Sequence, residues 1–237
     1  MHRVVKSNLI YFEDIKLTSL EKVLSKNPIK YITSEAIDTT TSVSDDAYYL
    51  ITFDDGYSSD YDIVFPLLKK RNIRATFFVN PQTVGQNGYV TWAMLQEMSD
   101  FGMSIESHSF SHPNMTHITL DRAKEEFINS RKIISEILNK KVTLFSFPFG
   151  FYNINLLNLA TECGYEKCFV SDHGLALPEM ISIPRNSINK TMSINDINKI
   201  LRCSIATRIK WKCNDFLKYN LKKMLGIKLY VFLRNRF

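Results

Sequence analysis

The sequence predicts an α/β protein with a largely parallel sheet, and three observations carry the prediction. From Tyr48 onward, short apolar, β-branched and aromatic runs alternate with longer stretches of helical periodicity. The polar clusters Asp54-Asp55, His108 to His112 and Pro148-Phe149-Gly150 fall just after such runs, where α/β barrels and open α/β sheets place their active sites. At 237 residues, 45% hydrophobic and 23% charged, the chain has the composition of a globular protein and the length of one large domain or two small ones.

Residues 1–47 carry little pattern: Leu17 to Ser25 fits a short helix capped near Thr18 or Ser19, and Thr39 to Ser42 reads as a loop. Tyr48 to Phe53 is expected as one strand, ending in two carboxylates and Gly56. Ser58 or Ser59 can cap a helix to Arg71, with Pro66 bending it or delaying its start. Ala75 to Asn80 is the next strand, and Asn87-Gly88 marks a tight turn. Thr91 caps a helix over Trp92 to Phe101 that Gly102 closes, and Trp92 reads as helix packing rather than a sugar platform. Met103 to His108 is a strand delivering a histidine to its end, and Leu120 to Lys140 is an amphipathic helix burying Ala123, Phe127, Ile134 and Leu138. Val142 to Phe147 is a strand stopped by Pro148, Asn153 caps a helix ended by Gly164, and Tyr165 to Val170 and Ile181 to Ile183 are strands. Ser193 to Asp196 resembles a capping box for a helix to Leu201.

The charge is divided along the chain. The net charge is +6, yet ten Lys/Arg face a single acid, Asp215, from Arg202 to the end, which leaves the rest at −3. The basic part is expected to meet an anionic partner. Cys163, Cys168, Cys203 and Cys213 form no Cys-x-x-Cys pair, so free thiols and a reducing compartment are expected. The N-terminus has no sustained apolar core of a secretory signal. The longest uncharged stretch, Val142 to Thr161, is interrupted by Pro148, Gly150 and three asparagines and does not read as a membrane span.

Two aspartates at the end of a buried strand repel each other and lose hydration, so they call for a cation or donors; a simple polar Asp-Gly turn is the alternative. His108 and His112 add two imidazoles, and two imidazoles with a carboxylate are a common zinc ligand set with one position open. Spaced four apart, they would share one face of a helical turn. His2 and His117 read as ordinary core or surface residues.

Thr52-Phe-Asp-Asp-Gly-Tyr57, Trp92, His108-Ser-Phe-Ser-His-Pro113 and Phe145-Ser-Phe-Pro-Phe-Gly150 together resemble the polysaccharide deacetylase family, the NodB-homology group or carbohydrate esterase family four. The resemblance covers roughly residues 48–188, with a third motif like the Phe-Ala-Tyr-Pro-Tyr-Gly of one branch, whose members accompany bacterial surface-polysaccharide synthesis. It implies a distorted (β/α)7 barrel, assigned to 48–202; outside it, 1–47 is expected as an N-terminal extension packed on the barrel and 203–237, where bases mix with apolar residues at helical spacing, as a basic amphipathic tail. It also implies that Asp55, His108 and His112 hold a divalent metal, zinc foremost, that Asp54 is the general base, and that the Phe149 N–H helps hold the oxyanion. In the family the third motif often carries a base-orienting arginine. Ser146 stands there in this chain, and Arg185 of Pro184-Arg185 matches the arginine used by the branch, to orient Asp54 or to form a surface salt bridge. The family's late histidine acid is missing, and His173 is either its substitute or a loop residue.

The expected activity is removal of N-acetyl from an amino sugar in a polysaccharide, oligosaccharide or glycolipid. Hydrolysis of a small cyclic or linear amide, or sugar binding without catalysis, are the alternatives. No nucleic-acid partner is expected. The tail is either a closing helix or a peripheral anchor on anionic membrane, and a cytoplasmic location, including the inner membrane face, follows as an expectation.

Overall fold

Every buried strand from residue 52 on leads into a helix or a polar loop, and the returns are long enough to keep successive strands parallel. The computed structural model describes residues 3–5, 14–16, 20, 21, 24, 30, 31 and 48–236, apart from 178, 189–191 and 203–204. Two small parallel pairs come first, β1 (Arg3–Val5) with β2 (Asp14–Lys16) and β3 (Lys30–Tyr31) with β4 (Tyr48–Tyr49). Leu20 and Leu24, helical residues of the N-terminal extension, are buried in the main core. The proposed cap at Thr18 or Ser19 and the loop at 39–42 lie outside the described residues.

The main sheet contains β5 (Thr52–Asp55), β6 (Thr76–Val79), β7 (Ser104–Ser107), β8 (Leu144–Ser146), β9 (Lys167–Phe169) and β10 (Ser182–Ile183), all parallel and in chain order. The main sheet thus has six strands among the described residues, where the family resemblance implies seven. The run Tyr48 to Phe53 is not one strand: Tyr48–Tyr49 pairs with β3 and Thr52 onward with β6. Composition alone reads the run as continuous because it cannot say that its halves take different partners.

The sheet is curled. Alternation along the strands sends Phe53, Phe77, Ile105, Phe145 and Cys168 to the helix-side core. Phe78, Leu144, Phe169 and Ile183 form a separate inner cluster drawn from four strands. The Phe78 and Phe169 rings stand 5.0 Å apart, although β6 and β9 would be about 14 Å apart in a flat sheet. Closure is completed by Arg185, just after β10, which reaches Asp54 in β5 at 2.7 Å. Flat, these opposite edges would be separated by about 24 Å.

Helices cover the outer face. A wide π-type turn, Asp60–Val64, runs into α1 (Phe65–Lys70) with Pro66 in its first turn. Proline lacks the N–H that a regular turn would use there, so the helix enters through a widened turn. Next come α2 (Trp92–Asp100), α3 (Leu120–Leu138) and α4 (Ile154–Glu162), capped by Thr91, Thr119 and Asn153. The four apolar residues expected on the inner side of α3 are all buried. There Phe127 meets Phe145 edge-on at 4.6 Å and Tyr165 at 5.8 Å, each pair adding about 1 kcal/mol beyond the area it buries. Then follow α5 (Ile194–Arg202), with Ser193 and Asp196 bonded reciprocally at its start, and α6 (Ile205–Arg236). Trp211 of α6 is buried, so this part of the tail packs on the domain. Cys163, Cys168 and Cys213 are free thiols. No helix among the described residues is long and apolar enough to cross a membrane.

Candidate active site

The site lies where β5, β7 and β8 end. Asp55 and Gly56 both take left-handed backbone, φ 79° and 69°, so β5 stops abruptly and the Asp55 carboxylate faces the end of β7. Left-handed backbone costs a non-glycine residue on the order of 1 kcal/mol or more, and such strain concentrates at functional sites. His108 follows β7 directly. The expected helical turn between the histidines is absent: residues 108–112 form a loop in which Ser109 and His112 hold φ 68° and 58°. Two left-handed residues fold the loop back, and the imidazoles meet with centroids 4.9 Å apart. Four-residue spacing is compatible with either geometry, so sequence could not separate them.

Asp55 Oδ1 lies 3.4 Å from His108 Nε2 and 3.2 Å from His112 Nε2. One ligand atom from each of these residues lies within 4.8 Å of the others. Ligands bonded to zinc at 2.0–2.1 Å in a tetrahedron sit about 3.4 Å apart, so the carboxylate–imidazole separations fit a single ion. The donor orientation fits as well. His108 Nδ1 lies 2.7 Å from the Ser146 carbonyl, which makes it the protonated nitrogen and turns the Nε2 lone pair toward Asp55. Nε2 is buried and makes no hydrogen bond within the protein, an expensive arrangement for a nitrogen that holds nothing. Asp55, His108 and His112 are therefore able to hold a divalent metal.

Asp54 is next in sequence but points to other company. Arg185 grips it bidentately, Nη1 to Oδ1 at 2.7 Å and Nη2 to Oδ2 at 2.8 Å. Ser146 Oγ accepts from Arg185 Nη2 at 2.8 Å and donates to Asp54 Oδ2 at 3.3 Å. The guanidinium thus reaches over Ser146, the position where the resemblance leads one to expect an arginine, and the pair is largely enclosed rather than a surface bridge, with side chains 14% and 4% exposed.

Phe149 sits in the Pro148–Gly150 turn with φ 59° and ψ 2°, and its exposed ring lies edge-on to His112 at 4.6 Å. Gly150 has no alternative: with φ 68°, a Cβ there would stand 2.2 Å from Ser171 Oγ. That contact seats the turn on the 171–174 loop. The same loop accepts the Arg185 N–H at Asp172 O, 2.9 Å, and binds Tyr152 Oη at Asp172 Oδ2, 2.7 Å. His173 is held by α6. Its N–H and Nδ1 both meet Asp215 of α6, at 2.9 and 2.7 Å, and its ring stacks on Trp211 at 5.8 Å. The only acid of the basic tail therefore clasps the loop that carries Arg185's backbone contact.

Several supporting residues were not found in the sequence. Glu126, buried on α3, accepts the Ser111 N–H and hydroxyl at 2.7 and 2.6 Å and so holds the loop just before His112. Its signal is a carboxylate within the buried stripe Ala123, Phe127, Ser130 of an amphipathic helix. Asn80, at the end of β6, donates to the His108 carbonyl, and nothing in the sequence distinguishes it from any strand-ending asparagine. Trp92 is partly buried against the core, as expected.

Fold and site together define a curled parallel α/β barrel with a two-histidine, one-aspartate set at the strand ends. The chain belongs to the polysaccharide deacetylase family, whose model matches residues 42–168. It is 32% identical over 146 residues to YxkH of Bacillus subtilis (strain 168), covering 61% of this chain and 52% of that protein. To the peptidoglycan-N-acetylmuramic acid deacetylase PdaA of the same bacterium it is 31% identical over 137 residues, covering 53% and 51%. The chain thus spans about half the length of each relative. Its fold matches the solved Streptococcus pyogenes deacetylase PplD with a TM-score of 0.76 at 22% identity, covering 84% of this chain and 95% of that one.

Proposed function

We propose that this chain is a metal-dependent hydrolase that removes N-acetyl groups from an amino sugar in a polysaccharide, oligosaccharide or glycolipid. The observation that carries the reading is the division of labour between neighbouring carboxylates: Asp55 against two imidazoles, Asp54 against one guanidinium. PdaA is named for N-acetylmuramic acid in peptidoglycan, and the class we carry to this chain is the wider one of N-acetylated amino sugars.

Amide hydrolysis needs an activated water, a stabilised oxyanion and a protonated leaving nitrogen. A divalent ion held by Asp55, His108 and His112 would lower the pKa of a water and polarise the acetyl carbonyl. Asp54 accepts the water's proton. Arg185 and Ser146 fix the angle of that carboxylate. The Phe149 N–H, in its left-handed corner, donates to the developing oxyanion. The proton on Asp54 then passes to the leaving nitrogen, so water adds across the C–N bond without net proton loss. His173, committed to Asp215, holds the loop behind Arg185.

Acetate release from N-acetylglucosamine oligomers and N-acetylated glycolipids, with zinc and after chelation, tests the reading. Wild type should need the metal, and Asp54→Asn should keep metal and fold while kcat falls about 100-fold or more. Full activity of metal-free wild type, or near-normal kcat in Asp54→Asn, would refute it.

A further inference from the structure

Helix α6 presents two opposite sides over its first turns, and the domain packs against the one that carries Trp211. Trp211 and Asp215, four residues apart, share the side that clasps His173. Ile209, Cys213, Phe216 and Leu217 follow the i, i+4, i+7, i+8 spacing of a single helical side, displaced by two residues, or about 200°, from the clasp. Met224 continues that side about two turns further on. These residues point away from the protein: Ile209 is 59% exposed, Phe216 69%, Leu217 58% and Met224 82%, and Cys213 is exposed. Lys210 and Lys212, both exposed, border the stripe on its two edges. Asp215, the single acid from Arg202 onward, is turned to the clasp side, so the outward side carries bases and no acid of its own helix.

We infer that the outward side of α6 docks on an anionic lipid surface. An apolar stripe edged by lysines suits the boundary between acyl chains and acidic headgroups, the stripe entering the former and the bases meeting the latter. The helix lies on such a surface rather than crossing it, because no helix among the described residues is long and apolar enough to span a bilayer. The face fits a lipid better than a second copy of this chain, since two such faces would bring like charges together. The clasp gives the docking a consequence: a helix held at the lipid carries the loop of His173, and with it Arg185 and Asp54, to the same surface. The inference does not depend on the proposed reaction.

Co-sedimentation of the full chain with vesicles of phosphatidylcholine alone, or mixed with phosphatidylglycerol, provides the test. Wild type should bind the mixed vesicles at low salt, at least tenfold more weakly at high salt, and not bind phosphatidylcholine. The triple variant Phe216→Ala, Leu217→Ala, Met224→Ala keeps every charge and should lose binding at least tenfold. Lys210→Glu with Lys212→Glu should lose it similarly. Both variants should retain the wild-type circular dichroism spectrum and metal content, since none of these side chains touches the core. Binding unchanged in the apolar variant means non-specific charge attraction and overturns the inference. So does absence of binding by a folded wild type, or a dimer in sedimentation velocity that the same substitutions dissolve.

Discussion

Asp54, Asp55 and Asp60 lie within seven residues of one another and have three different surroundings. Asp54 faces a guanidinium, Asp55 faces two imidazoles, and Asp60 is buried with no hydrogen bond to either carboxylate oxygen. Burial, reinforced by the charges of Asp55 and Asp54, holds the Asp60 carboxyl well above the usual carboxylate range. A raised folded-state value means that the stability contribution is fully present below the unfolded value, about 3.9, and is lost as pH rises toward the raised one. Asp60→Asn cannot ionise and should escape that loss. In chelator-stripped protein, its melting temperature should gain on wild type steadily from about pH 4 toward neutrality. Parallel pH profiles of the two proteins would show that Asp60 ionises without penalty.

At the scale of elements, the site is assembled from parts that contribute no ligand. Helix α3 supports the two histidines through Glu126, which holds Ser111 and pairs with Arg122 at 2.9 Å, and through Ser130, whose hydroxyl lies 2.7 Å from that of Ser107. Glu126→Ala should leave the fold intact but lower zinc affinity about 10- to 100-fold, the range found when groups that orient ligands are removed. Competition titration with a chromophoric chelator measures this, and an unchanged affinity would make Glu126 a helix-packing residue only. A comparable division holds at the other edge of the sheet: α6 supplies Trp211 and Asp215, the 171–174 loop transmits their positions, and Arg185 delivers them to Asp54. The expectation of a helix between His108 and His112 failed at this scale, because left-handed backbone at Ser109 and His112 depends on what the loop packs against, not on spacing.

For the whole molecule, a metal held by Asp55, His108 and His112 would be coupled to the fold. Ligands drawn from the ends of β5 and β7 come together only in the closed sheet, so an ion that binds them stabilises the native state by mass action. Zinc at 100 times its Kd should add about 2.7 kcal/mol and raise the melting temperature, an increase that His108→Ala should abolish. Equal shifts in the two proteins would place the ion elsewhere. Strand and helix alternation, most cap residues, the buried side of α3 and the blocks that carry the family resemblance were legible in the sequence, because periodicity and turn chemistry are local. The division of Tyr48 to Phe53 between two sheets, the clasp of His173 on Asp215 and the gripping of Asp54 by Arg185, 131 residues away, were not. Each depends on which distant segment arrives at a given place, and only the curled sheet brings its first and last strands together. The sequence by itself determined the fold class and singled out Asp54, Asp55, His108, His112 and Arg185 as candidates. Tertiary structure decided what each faces, since a carboxylate's work is set by its neighbours in space rather than by its neighbours in the chain.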